Sequence, residues 1–571
     1  METLVFWIGR AGGLYLVLEL AAAAAVLLAA VLRPQGGAAA GRWVESRFAG
    51  LAQRPGRQIL AVGALALLAR AALLPWAGVP APLFHDEQSL LLQAQTFLAG
   101  RLANPVHPFW QHFESFHLNQ VPAYASMYFP GRGAPLALGL LIADNAWVGV
   151  WLSVVLMAMA AVWMLQGWVS LPLALLGGVL AVLRLGVLSY WINSYWGGAF
   201  AAFGAMLVVG ALPRLLANPR WRDGILMGLG AAILMNTRPY EGVLLCLPVA
   251  AAQLVPLVRS GWAARGPTLV RSAVPVTVFV AAGGALLLAY NLATTGHALK
   301  TPYDLNRQTY ASAPAFLISP PIASEQRGPA YFRKLYAVEA ENHERRTSLG
   351  GIARSSAGKV LHSFNFYIGA PLGIAFFAGL WASRRNRFLW GATAFFMAGY
   401  LLETWNFPHY SSPVFPLLLI FVMRGFAALR TWTLRGRPVG LALTRAIPAA
   451  VALLVVLPAG ALVLGSRAFD TGSNTYACCS MPERNTRTGV LERLHAVPGP
   501  HLVLVKDNAH NPLHFEMIYN EPDIDAAPVV WARRLGPEQD RRLVAHFAGR
   551  VLWEFEWLPG PGLAYDLRRL Q

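Results

Sequence analysis

Charged residues and cysteines are scarce in this 571-residue chain, and both scarcities exclude classes of protein. Asp, Glu, Lys and Arg make up only 13% of the residues, about half the share found in soluble domains. This argues against an ordinary soluble enzyme. Of the three cysteines, Cys478 and Cys479 are neighbours, which rarely close a relaxed disulfide, and Cys246 lies in an apolar run. A disulfide framework and a structural metal site are therefore not expected.

Hydrophobic residues are abundant instead. They form 56% of the chain, and the mean hydropathy is +0.46. A helix needs about 20 apolar residues to cross the hydrocarbon core of a bilayer. We therefore predict a polytopic all-α membrane protein. By this measure there are about twelve transmembrane helices, at 11–32, 58–76, 146–166, 171–190, 197–213, 224–237, 242–258, 272–292, 362–381, 388–402, 411–428 and 447–465.

The net charge of +18 would suit a nucleic-acid binder, but the arginines do not form one patch. They fall in alternate loops between the predicted helices, and such loops are cytoplasmic by the positive-inside rule. No nucleic-acid partner is expected. These loops carry Arg33, Arg42, Arg47, Arg54 and Arg57; Arg214, Arg220 and Arg222; Arg259, Arg265 and Arg271; Arg384, Arg385 and Arg387; and Arg424, Arg430, Arg435 and Arg437.

Three regions follow from this topology. The first run lacks the small-residue cleavage site of a secretory signal, so it is interpreted as a retained anchor. In the tail, two strand-like runs flank a helical one, which predicts a small extracytoplasmic α/β domain. The regions are 1–57, the anchor helix and a cytoplasmic loop; 58–466, the transmembrane domain with outer loops 77–133 and 293–361; and 467–571, the soluble domain.

Two adjacent carboxylates, Asp86 and Glu87, stand just outside the predicted helix 58–76. Burial beside an apolar interface disfavours the ionised form of a carboxylate and raises its basicity, as a general base requires. Asp86 could thus deprotonate an acceptor hydroxyl or amine. The alternative is that the pair only caps the following amphipathic helix, predicted over 86–102, because acidic residues favour a first turn.

Four basic residues lie near the predicted outer ends of helices: Arg132, Arg184, Arg238 and Lys300. Arg184 stands within an apolar run, where an arginine is costly unless it meets an anion or a partner inside the bundle. A phosphate suits the planar guanidinium. The alternative is snorkelling, or an internal pair with Glu241 or Asp144.

Two further groups have weaker signals. Arg238 and Glu241 share the turn at 237–242, where they could simply form an ion pair that fixes the turn. His107, His112 and His117 recur at a spacing of five, which does not place them on one helical face. Aromatic packing or sugar contact is favoured there over a zinc site.

Several of these motifs resemble the GT-C class of membrane glycosyltransferases, in particular bacterial proteins of the protein-mannosyltransferase and aminoarabinose-transferase type. The resemblance covers about 58–430. It rests on the outer Asp86-Glu87, the loop ending Tyr128-Phe129-Pro130-Gly131, the Thr-Arg-Pro turn at 237–239, and His409-Tyr410 followed by Pro413 and Pro416.

The resemblance implies a polyprenyl-phosphate sugar donor and a lipid, glycan or protein acceptor at the periplasmic face of a bacterial inner membrane. Asp86 matches the catalytic acidic position and Glu87 its neighbour. One departure is His409, which stands where relatives carry a permanent cation. The candidate substrate-binding residues are Arg132, Arg184, Arg238, Glu241, Lys300, Tyr303, His409 and Tyr410.

Inverting transfer without a metal or other cofactor is the expected mechanism, with arginines stabilising the departing phosphate. One alternative function is a transporter or flippase of an anionic lipid-linked substrate, against which the chain lacks an evident two-half repeat. Another is a non-catalytic assembly protein whose tail binds a partner.

Overall fold

A computed structural model describes residues 10–259, 266, 269–466, 469, 486–512, 515–560 and 563–570. The cysteine pair at 478 and 479 lies outside these residues. The first part of the chain forms α1 Arg10–Leu32, α2 Ala38–Ala52, α3 Pro55–Ala77, α4 His85–Leu98, strands β1 Leu118–Asn119 and β2 Ala125–Ser126, α5 Pro130–Ala143, α6 Ala146–Leu165, α7 Leu171–Ala181, α8 Tyr190–Asn193, α9 Gly198–Ala217, α10 Trp221–Thr237 and α11 Pro239–Arg259.

The second part continues in the same largely helical manner and ends in a small sheet. It forms α12 Val274–Thr295, α13 Pro302–Tyr310, α14 Ala330–Thr347, α15 Leu349–Tyr367, α16 Gly369–Ala382, α17 Arg387–Leu402, α18 Phe415–Thr431, α19 Val439–Val463, α20 Thr486–His495, β3 His501–Lys506, β4 Val529–Arg533, α21 Pro537–His546, β5 Val551–Trp557 and β6 Tyr565–Arg569.

Seven helices of the described chain are long and apolar enough to cross a membrane, or eight if the bent pair α15 and α16 counts as one. The sequence count of about twelve is not reached. The other predicted segments do form helices, but α7, α10 and α17 span only 11, 17 and 16 residues, and the apolar part of α11 covers Pro239–Val255. A break of 103° separates α15 from α16. Apolar composition therefore predicted the helices, whereas the count of about twelve membrane-crossing helices is not confirmed.

Close helix packing depends on small residues where backbones meet. α16 crosses α18 at Gly379 and Gly425, and a Cβ on Gly425 would lie 1.7 Å from the carbonyl oxygen of Ala375. Glycine is required for this approach, as at other interfaces between apolar helices.

Loops assigned to the cytoplasm by their arginines meet at one end of the bundle. Glu45 on α2 lies 3.2 Å from Arg430 and 3.0 Å from Arg445, and Arg437 donates to the carbonyl of Leu32 at 3.2 Å. The contacts join the segment after α1 to the segment between α18 and α19. Two of the five predicted cytoplasmic segments are therefore neighbours in space.

Residues 486–570 contain a four-stranded sheet of order β4-β3-β5-β6, in which β3 is parallel to β4 and β5, and β6 is antiparallel to β5. The sheet packs on the loop between α4 and α5. The Tyr124 hydroxyl donates to the Asn520 carbonyl at 2.9 Å, and the Tyr519 hydroxyl to the Phe116 carbonyl at 3.0 Å. The terminal domain therefore supports the loop that follows the two carboxylates.

Candidate active site

Glu87 has a structural role at the start of α4. Its Oε2 accepts the backbone N–H groups of Leu83 at 2.8 Å and Phe84 at 3.0 Å, and its Oε1 accepts that of Tyr195 at 2.9 Å. These bonds cap the helix and tie it to the segment before α9. Burial raises the pKa of Glu87 to about 7, although the three N–H donors favour its ionised form. The capping alternative fits Glu87, whose oxygens are directed at backbone groups and not into a reaction site.

Asp86 faces the other way, into a cluster of polar rings. Its Oδ2 lies 3.0 Å from His85 Nδ1, and its Oδ1 lies 3.3 Å from His117 Nδ1 and accepts the hydroxyl of Tyr128. The side chain keeps 23% of its surface exposed, so the carboxylate is not sealed inside the protein. Of the two acidic residues, only Asp86 is placed for chemistry.

The basicity expected of Asp86 from the sequence is wrong. Burial alone would raise the pKa of this carboxyl, but His117 and His85 beside it outweigh burial and hold the pKa well below its usual range. Asp86 is therefore held as an anion with several donors around it. A carboxylate in this state is a weak proton acceptor and a good hydrogen-bond acceptor.

Arg132 and Arg238 form the cationic part of the site. Each guanidinium carbon lies 4.1 Å from the centre of a tyrosine ring, Tyr128 under Arg132 and Tyr410 under Arg238. Both side chains are buried. Stacking on aromatic rings presents the edge of each guanidinium to whatever binds beside it.

The N–H donors of these two arginines are only partly used. Arg132 donates to the Trp196 carbonyl at 3.1 Å, and its Nε has no partner among the described residues. Arg238 forms the ion pair with Glu241 that the turn suggested, at a distance of 3.8 Å that is too long for a hydrogen bond, and its Nη2 has no described partner. Two buried guanidiniums that repel each other and keep unused donors suit an anionic ligand.

The remaining aromatic candidates border the same site. His409 accepts from or donates to the Tyr190 hydroxyl through Nδ1 at 3.1 Å and stacks on Phe407 at 5.6 Å. Asp86 acts electrostatically on Arg132, His409 and Tyr410. Burial lowers the pKa of His409 well below its usual range, and the two arginines lower it further. A neutral imidazole does not supply the permanent cation that relatives carry at this position.

Tyr303 joins the edge of the site, whereas two of the basic candidates have no described contact with it. The Tyr303 hydroxyl accepts from Trp405 Nε1 at 3.3 Å. Arg184 pairs with Glu19 of α1 and donates to the carbonyls of Phe366 and Asn365. The internal pair considered for Arg184 is therefore present, with Glu19 in place of Glu241 or Asp144. The ammonium of Lys300 has no ion pair or hydrogen bond in the described chain.

The three loop histidines separate in space. His112 Nδ1 lies 2.7 Å from the Arg533 carbonyl, and His107 Nε2 lies 3.2 Å from Asp525. Only His117 reaches Asp86. A zinc site built from all three is therefore wrong, and sequence reasoning missed His85, His117 and Tyr128 as neighbours of the carboxylate. In the sequence, these residues were indicated only by their positions: His117 and Tyr128 lie in the predicted outer loop 77–133, and His85 immediately precedes Asp86.

Two clusters of the described chain could offer ligands to a metal ion: His85, Asp86 and His117, and His107, Asp525 and His546. In the second, the Phe109 N–H donates to His107 Nδ1 at 3.0 Å. This bond leaves the proton of the neutral imidazole on Nε2, the nitrogen that would have to bind the metal. The second cluster is therefore a poor metal site.

No protein-family model and no curated protein sequence matches this chain. Among solved structures, ArnT from Cupriavidus metallidurans in the apo state is 13% identical, with 87% of this chain and 92% of that chain covered and a TM-score of 0.49. ArnT bound to undecaprenyl phosphate matches at 12% identity, 87% and 93% coverage, and a TM-score of 0.47.

An Archaeoglobus fulgidus oligosaccharyltransferase tethered with an acceptor peptide is 11% identical, with 78% of this chain and 61% of that chain covered and a TM-score of 0.43. All three TM-scores lie below 0.5. The function proposed below is therefore built on the residues of the site itself.

Proposed function

We propose that this protein is a GT-C-class glycosyltransferase that moves a sugar from a polyprenyl-phosphate donor to a lipid, glycan or protein acceptor. One observation carries the proposal. Two buried arginines with unused donors, Arg132 and Arg238, lie beside a partly exposed carboxylate, Asp86. An anion-binding pair next to a partly exposed anionic group suits phosphate departure and proton removal within one site.

The donor fits this arrangement at both ends. Its phosphate is bound between the guanidiniums of Arg132 and Arg238, whose free N–H groups donate to the phosphate oxygens. A small apolar crevice bordered by Leu136, Val150 and Phe200 lies beside Arg132, and we propose that the polyprenyl chain leaves the phosphate along this side of the site.

The reaction is a single displacement at the anomeric carbon. The acceptor oxygen or nitrogen forms a bond to this carbon as the bond to the phosphate oxygen breaks, so the configuration inverts. The proton of the acceptor passes to the cluster around Asp86. The leaving polyprenyl phosphate takes the electron pair of the broken bond, and the arginines stabilise the negative charge that develops on it.

The proposed setting is the outer face of a bacterial inner membrane. Two of the arginine-rich segments meet at Glu45, and Asp86 follows the opposite end of α3. By the positive-inside rule, this arrangement supports a periplasmic position for Asp86, Arg238 and the terminal sheet. The donor and the acceptor would then meet outside the cytoplasm.

A lipid profile of a strain that lacks this protein tests the function. We expect one polyprenyl-phosphate sugar to accumulate and one glycan, lipid or protein modification to disappear. Complementation with Asp86→Asn should restore expression without restoring the product. An unchanged lipid and glycan profile in the deletion strain, or full complementation by Asp86→Asn, would contradict the proposal.

A further inference from the structure

His117 is directed at Asp86 by a backbone conformation that is uncommon in residues other than glycine. Its φ is +61°, in the left-handed region that non-glycine residues rarely occupy. Its carbonyl accepts the Ser89 hydroxyl at 2.7 Å and the Met127 N–H at 3.0 Å. The flanking strand pair β1 and β2 holds the same turn. Such conformations concentrate at functional sites.

The hydrogen bonds of the cluster define which nitrogen of His117 is basic. The Tyr128 hydroxyl donates to Asp86, which as an anion can only accept. The Tyr128 oxygen lies 2.8 Å from His117 Nδ1, and Asp86 Oδ1 lies 3.3 Å from the same nitrogen. Nδ1 therefore carries the proton and donates. The lone pair of the neutral ring is on Nε2, for which the described chain has no hydrogen-bond partner.

We propose that His117 Nε2, and not Asp86, takes the proton of the acceptor, and that Asp86 and Tyr128 are the residues that position and polarise this imidazole. The inference rests on the proposed function and assigns a step within it. The side chain of His117 retains 11% exposure, so the ring is not completely enclosed. A carboxylate bonded to the remote nitrogen of an imidazole is the arrangement by which a general base is oriented.

The proton balance is complete within the site. As the acceptor attacks the anomeric carbon, its proton goes to Nε2 and His117 becomes an imidazolium. The negative charge of Asp86 stabilises this cation through Nδ1–H, directly and through Tyr128. The phosphate departs as an anion and needs no proton. After release of the product, the imidazolium loses its proton to water.

The charged groups around His117 favour this role at neutral pH. Burial lowers the pKa of His117 below its ordinary value, His85 lowers it further, and Asp86 and Glu339 raise it. The ring is therefore neutral and able to accept a proton above this pKa. As the pH falls through it, the base is lost while Asp86 stays ionised.

A metal ion bound by His85, Asp86 and His117 is the competing use of the same atoms. The Tyr128 hydroxyl contacts both Asp86 Oδ1 and His117 Nδ1, so it occupies the space between two of the three ligand atoms. Burial and the adjacent Asp86 raise the pKa of Tyr128 well above its ordinary value. The group between these ligands is thus a neutral hydroxyl, which favours a hydrogen-bond relay.

Labelling of the full-length protein in detergent with diethyl pyrocarbonate, which acylates unprotonated imidazole, tests the basic nitrogen without any sugar substrate. Mass spectrometry measures the labelling of each histidine as a function of pH. The labelling of His117 should have its pH midpoint below 6.5, the reference pKa of histidine. Asp86→Asn should move the midpoint to lower pH, because a charge that raises the pKa is removed. Undecaprenyl phosphate should slow labelling at His117 and not at exposed His546. Absence of labelling at His117 would overturn the proposal.

Transfer assays with the donor that accumulates in the deletion strain test the catalytic step. His117→Asn tolerates the left-handed backbone and keeps a donor for Tyr128, but lacks a basic nitrogen. We expect kcat to fall about 10²–10⁴-fold, the range for loss of a general base, with KM for the donor unchanged and the acidic limb of the pH profile abolished. Imidazole in solution should partly restore His117→Ala, and His546→Ala should behave as the wild type.

Three outcomes separate the possibilities. Full activity of His117→Asn, with wild-type transfer and binding of undecaprenyl phosphate intact, would overturn the inference and leave the proposed function standing. Activity that requires an added divalent ion, whose affinity falls in His117→Asn, would replace the relay by a metal site. A wild-type protein that neither binds undecaprenyl phosphate nor transfers a sugar would refute the proposed function itself.

Discussion

Two buried arginine sites in this protein differ in what surrounds the charge. Arg184, between α7 and α8, pairs with Glu19 and donates to two carbonyl groups. Arg132 and Arg238 are buried to a similar degree but retain N–H groups without described partners and repel each other. Burial of an arginine therefore does not mark a binding site by itself. A binding site is indicated where a buried arginine keeps unused N–H donors beside a partly exposed carboxylate.

Substitution of Arg184, which is paired with Glu19, should give the largest effect, a loss of stability. Arg184→Met leaves Glu19 without its partner inside the bundle, which costs about 3–5 kcal/mol when a buried pair is broken. We expect a lower midpoint of unfolding in detergent, followed by intrinsic fluorescence. The double variant with Glu19→Gln should recover much of the loss. A single variant as stable as the wild type would remove the distinction between the two sites.

Loss of Arg238 should affect ligand binding more than folding. Arg238→Ala removes a charge-assisted contact to the phosphate, worth about 1.5–3 kcal/mol, or roughly a 10- to 100-fold weaker affinity for undecaprenyl phosphate. The unfolding midpoint should fall less than in Arg184→Met, because Arg238 makes no hydrogen bond to Glu241, which lies 3.8 Å away. A collapse in stability with normal affinity would assign Arg238 the role that Arg184 has.

A conservative change at Arg132 tests whether the geometry of the guanidinium matters. Arg132→Lys keeps the positive charge but cannot stack flat on Tyr128 or donate through a planar fork. We expect an affinity between those of Arg132→Ala and the wild type, measured by the same binding titration. Equal affinity of Arg132→Lys and the wild type would mean that only the charge is used.

Inorganic phosphate should give the smallest effect. It offers the headgroup without the lipid and should bind weakly, so at a concentration equal to its Kd it stabilises the wild type by only about 0.4 kcal/mol. This shift in unfolding midpoint should disappear in Arg238→Ala and persist in a stable double variant at Glu19 and Arg184. A shift that persists in both would place the phosphate elsewhere.

Local features of the fold were predictable because they depend on neighbouring residues. The apolar runs predicted α1, α3 and α6 with nearly correct bounds, and α9 and α19 with one end displaced by four and eight residues; the strand-like runs predicted β3 and β5. The number of membrane-crossing helices was not predictable in the same way. It depends on helix length and on breaks such as the one between α15 and α16, which packing and not composition decides.

The site was predicted in part for a similar reason. Asp86, Arg132, Arg238 and Tyr410 have side chains that are conspicuous at the ends of apolar runs, so the sequence indicated them. His117 and Tyr128 were missed because their role depends on a turn and a strand pair that bring them back to α4. Arg184 was misleading because its partner Glu19 is 165 positions away in the chain.

The hydrogen bond from Tyr519 to the Phe116 carbonyl connects the C-terminal region that carries the sheet to the proposed active site. Phe116 immediately precedes His117. A chain shortened before the sheet would lose this contact with the turn that carries the proposed base, but it would keep the arginines proposed to bind the lipid phosphate. The shortened protein should still bind undecaprenyl phosphate but should have a lower kcat. Exchange of this C-terminal region between homologous enzymes should exchange their kcat values as well.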